Sequence, residues 1–295
     1  MRRLLLASLL TALGAGQATA GSPVALMTIQ QMDANGQPTA IWTEDLAASG
    51  LVSINNGNLV MTQGTQGQTI STDNVDYWAW QSGDGSWLWH SAQTVSGQTL
   101  TIDQQKAYTG QAADPWAAVA KLTSVFGHGD PDLSYGYFAK NNTGLTQAYT
   151  FTIGETIVPP VGSPAQVYAD VGASLTNPSG SITIAPTGTN TAIQSFMLSA
   201  DGGATFSNAG VGVGPAYTTD TPNTSLYGVY SATADAPAGT WNYMQIVTQF
   251  TLTPDKDVAS ISGSASIAAV PEPESYAMLL AGLGMLGFVV ARARK

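Results

Sequence analysis

Short runs in which apolar and polar residues alternate, broken about every 8–12 residues by Gly, Asn, Asp, Ser or Pro, set the character of this chain. A period of two puts successive side chains on opposite faces of an extended strand. The plainest case is Val167, Ala169, Val171, Ala173 and Leu175, interleaved with Tyr168, Asp170, Gly172, Ser174 and Thr176. A first strand is predicted over Val24–Met32, ended by the turn Asp33-Ala34-Asn35-Gly36. Leu51–Ile54 and Leu59–Thr62 flank Asn55-Asn56-Gly57-Asn58, where Asn-Gly supplies the positive φ of a tight hairpin. Further strands are predicted at Gln98–Ile102, Ser134–Lys140, Gln147–Ile153, Ile182–Ile184, Ile193–Leu198, Leu226–Ala232, Thr240–Thr253 and Ser260–Ile267. Within Gln147–Ile153, Tyr149, Phe151 and Ile153 share one face. Many short strands at this spacing predict an all-β fold, a β-sandwich of jelly-roll type.

Two stretches are ambiguous. Asp114-Pro115 resembles a helix start, and Val119, Leu122, Val125 and Phe126 follow at loose helical spacing, so residues 114–126 read as a short helix or an irregular strand. Val158-Pro159-Pro160-Val161-Gly162 reads as a linker or as a stiffened crossover between two sheets. A single sandwich body over residues 21–269 is the expectation.

Both ends depart from the strand pattern. Arg2 and Arg3, an apolar run Leu4–Leu13 and the small residues Ala18-Thr19-Ala20 read as a secretory signal peptide, residues 1–20, cut after Ala20. At the other end, residues 270–295 have three parts. Pro271, Glu272 and Pro273 come first, an uncharged run Ser275–Ala291 follows, and Arg292, Arg294 and Lys295 close it. As a helix the 17-residue run reaches about 25 Å, a little short of the roughly 30 Å hydrocarbon core. Thinning of the bilayer and snorkelling arginines close the gap, and the basic end stays cytoplasmic.

This tail resembles the PEP-CTERM sorting signal of Gram-negative bacteria. The resemblance implies that an exosortase, a membrane cysteine transpeptidase, recognises Pro271-Glu272-Pro273 and cleaves near it. The tail would then sit in the inner membrane only transiently, and the body would pass to the cell surface or an extracellular polymer matrix. The stretch from Tyr135 to Ile157 also resembles, more weakly, a segment found in bodies of such proteins.

Composition narrows what the body does. Five of the nine Lys and Arg lie in the two terminal segments, which leaves Lys106, Lys121, Lys140 and Lys256 against 17 acidic residues, a net charge of −13. Such a body repels nucleic acid and anionic lipid. The absence of cysteine excludes disulfides, thiol nucleophiles and cysteine-based zinc sites. No Gly-x-Ser-x-Gly elbow is present. Gly282-Leu283-Gly284-Met285-Leu286-Gly287 matches a dinucleotide fingerprint but lies inside the apolar tail, with no strand before it.

Three constellations remain. Tyr77-Trp78-Ala79-Trp80 and Trp87-Leu88-Trp89-His90 flank a turn; pairing Trp80 with Trp87 sets Trp78, Trp80, Trp87 and Trp89 on one face. That face is either a sugar-stacking platform or a sheet packed into the core. His90 and His128, with Asp130 or Asp132, lack metalloprotease spacing. Asp130-Pro131-Asp132 and Asp255-Lys256-Asp257 depart from the calcium-loop pattern and read as turns. Glycoside hydrolysis needs two apposed carboxyls, and the body holds only two glutamates, Glu44 and Glu155. No catalytic set, metal or cofactor is predicted. The expected partners are the exosortase, the secretion machinery and extracellular polysaccharide.

Overall fold

The computed structural model describes residues 23–286 and Arg292, apart from connecting segments of which 62–68, 72–76, 82–86, 100–117 and 271–277 are the longest; side chains from 60 to 119 lie outside the description. The elements in order are β1 (Val24–Met32), β2 (Pro38–Asp45), β3 (Val52–Asn55), β4 (Asn58–Met61), β5 (Thr69–Ser71), β6 (Tyr77–Gln81), β7 (Trp87–Ser91), β8 (Thr94–Val95), β9 (Gln98–Thr99) and β10 (Ala118–His128). They continue with β11 (Asp132–Asn141), β12 (Gln147–Gly162), β13 (Ala165–Asn177), β14 (Ile182–Pro186), β15 (Gln194–Ser199), β16 (Ser207–Val213), β17 (Tyr217–Thr219), β18 (Asn223–Asp235), β19 (Thr240–Leu252) and β20 (Asp257–Ala269).

Apart from β8 and β9, which pair only with each other, the strands form two sheets that pack face to face as a sandwich. An eight-stranded sheet runs β16-β15-β19-β12-β1-β2, with β14 joined to β19 and β17 to β14. A ten-stranded sheet runs β18-β13-β20-β11-β10-β7-β6-β5, with β4 joined to β10 and β3 to β4. The chain crosses from one sheet to the other at Ser163–Pro164, between β12 and β13. Val158–Gly162 therefore belongs to the end of β12, where the register with β19 breaks between Thr156 and Val161.

The inward faces follow from alternation. Tyr149, Phe151, Ile153 and Ile157 of β12 and Met244, Ile246, Phe250 and Leu252 of β19 face Val167, Val171 and Leu175 of β13 and Ile261 and Ile267 of β20, all buried in one cluster. Each such side chain contributes about 1.5–3 kcal/mol by leaving water. Tyr137 stacks on Phe151 at 5.3 Å and Tyr149 on Phe250 at 5.4 Å. Burial pushes all of these tyrosine hydroxyls well above their ordinary acidity range.

β20 is the keystone of the ten-stranded sheet. It pairs with β11 from Asp132↔Ser266 to Asn141↔Asp257 and with β13 from Ala165↔Ala269 to Thr176↔Val258. Its inward residues include Ala259, Gly263 and Ala265, small enough to let polar groups from the facing sheet come close. Gln194 of β15 enters here, fully buried. Its Nε2 donates to the carbonyls of Asp170 at 2.8 Å and Ser264 at 3.1 Å. Its Oε1 accepts from Tyr135 Oη at 2.8 Å, and Tyr135 Oη accepts from Thr248 Oγ1 at 2.7 Å. This bond set ties β15 and β19 of one sheet to β11, β13 and β20 of the other.

The helix alternative is overturned over 118–126, where β10 is a strand, and Asp114-Pro115 lies outside the described residues. Its register with β11 breaks between Leu122 and Ser124, so Leu122 and Val125 both point inward three positions apart. A bulge thus imitates helical spacing. Five strands have no counterpart in the sequence expectations, the short β5 and β8 among them. β2 opens on Pro38 at a sheet edge, β16 interleaves Ala209, Val211 and Val213 with glycines, and β17 is three residues long.

A Cβ at Gly263 would overlap Gln194 Oε1 and approach the Asp170 carbonyl oxygen and the Tyr135 ring at 2.9 Å each. Gly263→Ala is expected to destabilise the body by about 2–4 kcal/mol in urea unfolding. Gln194→Ala and Tyr135→Phe are expected to cost about 1–3 kcal/mol each, with a double variant less destabilised than their sum.

Candidate functional site

The tail leaves the body at the end of β20. Ala269 pairs with Ala165, and the Val270 N–H donates to Pro164 O at 2.9 Å. Pro271, Glu272 and Pro273 come next and lie outside the described residues, as do Arg294, Lys295, Ala18 and Ala20. Met278 and residues 280–286 are helical. Met278, Leu280, Leu283, Met285 and Leu286 are 56–75% exposed, so the body does not cover this apolar helix. Arg292 is exposed. Among the described residues no helix is long and apolar enough to cross a membrane.

The aromatic hairpin forms, with a register one residue from the expected one. β6 and β7 pair Trp78 with His90, Ala79 with Trp89, Trp80 with Leu88 and Gln81 with Trp87. The turn is 82–86, five residues, one fewer than the six that the Trp80–Trp87 pairing requires. A one-residue slip exchanges the faces of a strand. The positions of Trp78 and Trp80 therefore fall on one face of the ribbon and those of Trp87 and Trp89 on the other, correcting the single four-indole face. Their side chains lie outside the described residues.

The histidines do not meet. His90 sits in β7 opposite Trp78, and His128 ends β10, opposite Asp132 across the β10–β11 turn and Asn58 of β4. Asp132 is exposed, and Asp130 and Asp255 lie outside the described residues. Asp257 is buried and accepts from Thr253 Oγ1 at 2.6 Å, a turn-stabilising role rather than an open ligand. Asp201 does the same work at the β15–β16 turn: Ser199 Oγ, Thr205 Oγ1 and Thr205 N donate to it at 2.6, 2.6 and 2.8 Å and draw its pKa down to about 2. Among the described residues no three His, Cys, Asp or Glu side chains gather as a metal site.

The group that sequence reasoning passed over is Glu155. It has the same parity as Tyr149, Phe151 and Ile153, so β12 carries it into the core, where it is 2% exposed. Its carboxyl lies against the Cα of Gly127 in the facing sheet; a Cβ there would come within 2.5–2.7 Å of all three carboxyl atoms. Oε1 has no hydrogen-bond partner. Desolvation first, and the Asp132 charge second, push its pKa up to about 8. The acid is therefore neutral at pH 7. The extended parity of β12 was the signal that would have found it.

Residues 269–295 match the PEP-CTERM protein-sorting motif. The motif marks an exported, surface-directed protein. Comparison with curated proteins gives no match. Among solved structures the chain is similar to the enzymatically active domain of tailspike protein 4 of bacteriophage CBA120, at 12% identity over 52% of this chain and 19% of that one, TM-score 0.25. It is similar to TmCBM61 in complex with beta-1,4-galactotriose, at 10% identity over 45% and 71%, TM-score 0.22. It is also similar to the CBM22-1–CBM22-2 tandem domain of Paenibacillus barcinonensis Xyn10C, at 14% identity over 87% and 75%, TM-score 0.25. The aligned region spans about a fifth of the tailspike domain's length.

Glu155 sets a pH dependence whose sign is fixed. Its folded pKa of about 8 lies above the 4.5 of an open carboxyl, so the folded state holds a proton that the unfolded state releases. That stability is complete below pH 4.5 and is lost as pH rises to about 8. Glu155→Gln removes the titration. Its advantage over the wild type in urea unfolding is expected to grow between pH 5 and 8, by at most about 1.4 kcal/mol per pH unit. A constant difference across that window contradicts the assignment.

Proposed function

We propose that this chain is an exported structural or interaction protein of a polysaccharide-rich surface or matrix, delivered by two disposable ends. The match of residues 269–295 to the sorting motif carries the reading. The signal peptide, residues 1–20, is removed after Ala20. The apolar run 275–291 then holds the protein in the inner membrane for a time, with Arg292, Arg294 and Lys295 in the cytoplasm. An exosortase takes Pro271-Glu272-Pro273 and frees the body, residues 21–269, a jelly-roll-like sandwich.

The reading assigns the body no catalysis. A general acid must reach a substrate, and Glu155 is sealed against Gly127 between the sheets. The outer surface is acidic and rich in uncharged polar side chains, which suits a hydrated polymer and disfavours nucleic acid. The second reading is a glycan-binding body. The tryptophan ribbon β6–β7 near the margin of the ten-stranded sheet favours it, with two indole positions on each face.

Localisation tests the first reading. In an exosortase-bearing host the wild type is expected outside the cell, and Glu272→Ala is expected to accumulate uncut in the inner membrane. Deletion of 271–295 is expected to leave the body free in the periplasm or medium. Equal export of wild type and Glu272→Ala contradicts the sorting role. Loss of polysaccharide retention in Trp78→Ala/Trp80→Ala or Trp87→Ala/Trp89→Ala, with export intact, selects the glycan-binding reading.

A further inference from the structure

The outer face of the ten-stranded sheet carries a second aromatic surface, on the other side of β10 from the tryptophan ribbon. Alternation turns Tyr168 and Asp170 of β13 outward, between the buried Val167, Ala169 and Val171. The strand ladders then set two outward rows. Phe126 of β10, Ser134 of β11, Ser264 of β20 and Asp170 stand in one, and Asp132, Ser266 and Tyr168 in the next. Phe126 is 44% exposed and Tyr168 39%. From β10 to β13 is three strand spacings, about 14 Å.

Tyr168 and Asp170 are held as a unit. Tyr168 Oη donates to Asp170 Oδ2 at 3.0 Å, which lays the tyrosine side chain along the strand instead of upright. Ser264 Oγ donates to Oδ2 at 2.9 Å and Ser264 N–H to Oδ1 at 3.1 Å. Oδ1 thus accepts one bond and keeps a lone pair for a donor from outside. From the core, Gln194 Nε2 pins the Asp170 and Ser264 carbonyls. The carboxylate is therefore fixed before anything binds, which spares a ligand the cost of ordering it.

A pyranose presents a C–H face that packs on an aromatic ring and a rim of hydroxyls that must be hydrogen-bonded. An exposed ring beside a fixed acceptor and serine hydroxyls answers both needs. Charge narrows the class further. No lysine or arginine stands in either row, whereas Asp132 and Asp170 do, on a body of net charge −13. An anionic chain would be repelled. We propose that this face, from Phe126 to Tyr168 and Asp170, binds an uncharged polysaccharide laid across the strands. The inference rests on the glycan-binding reading and deepens it: it places the stacking site on β10 and β13 and gives the ligand its charge class.

Affinity electrophoresis of the exported protein tests this, in gels holding hydroxyethylcellulose, galactan or the anionic polygalacturonate. The wild type is expected to be retarded by at least one of the two neutral polymers and not by polygalacturonate. Tyr168→Ala is expected to weaken that binding roughly tenfold, with its urea midpoint unchanged. Tyr168→Phe, which keeps the ring, is expected to lose less, and Phe126→Ala to weaken binding as well. Retardation of Tyr168→Ala equal to the wild type overturns the proposal. If Trp78→Ala/Trp80→Ala or Trp87→Ala/Trp89→Ala then abolishes retardation, the glycan-binding reading stands without it. Equal retardation of the wild type by polygalacturonate overturns the charge class. If neither neutral polymer retards the wild type, the glycan-binding reading and the proposal fail together.

Discussion

The double pairing of β20 is the constraint on which the rest depends. The strand is the last of the body, yet it lies inside the ten-stranded sheet, between β11 and β13. The fold is therefore complete only when the chain has been made through Ala269. One residue later the sorting tail begins. A terminal strand at a sheet edge would fray under any pull on the tail; an inner strand transmits that pull into two ladders at once.

Small residues on the inward face of β20 make room for a fully buried polar cross-link between the sheets. Gln194, Tyr135 and Thr248 form a closed set with the Asp170 and Ser264 carbonyls. A buried amide without partners would cost several kcal/mol, whereas this set fixes the stagger of the two sheets. Asp170 extends it to the surface, accepting from Ser264 N and Oγ at 3.1 and 2.9 Å and from Tyr168 Oη at 3.0 Å. Glu155 is the opposite case. Its carboxyl is accommodated by a glycine and by its own proton rather than by donors, so that end of the sandwich weakens as pH rises.

Much of this was legible in the sequence where alternation was clean. The strands around Val24–Met32, Val167–Leu175, Thr240–Thr253 and Ser260–Ile267 lie where period two put them. The tail was readable because its three parts occur in order, and the sorting-motif match covers that stretch. Legibility failed where one residue changes parity. A bulge between Leu122 and Ser124 made β10 look helical, and a turn of five residues rather than six divided the tryptophans between two faces. Glycines hid β16, since Gly210 and Gly212 carry no polar side chain to mark the outer face. Glu155 was read as one of two glutamates, when its parity with Tyr149, Phe151 and Ile153 already placed it inside. Pairing partners, such as Gln194 with Tyr135 across 59 residues, are beyond any local pattern.

The account holds that a strand locked on both sides presents a detachable end without being disturbed by its loss. Native-state amide hydrogen exchange on the exported protein tests this most directly. The account predicts that β20 amides from Ala259 to Ile267 exchange among the slowest in the body, and no faster than in the uncut chain. Rapid exchange along that strand, in either form, would contradict it.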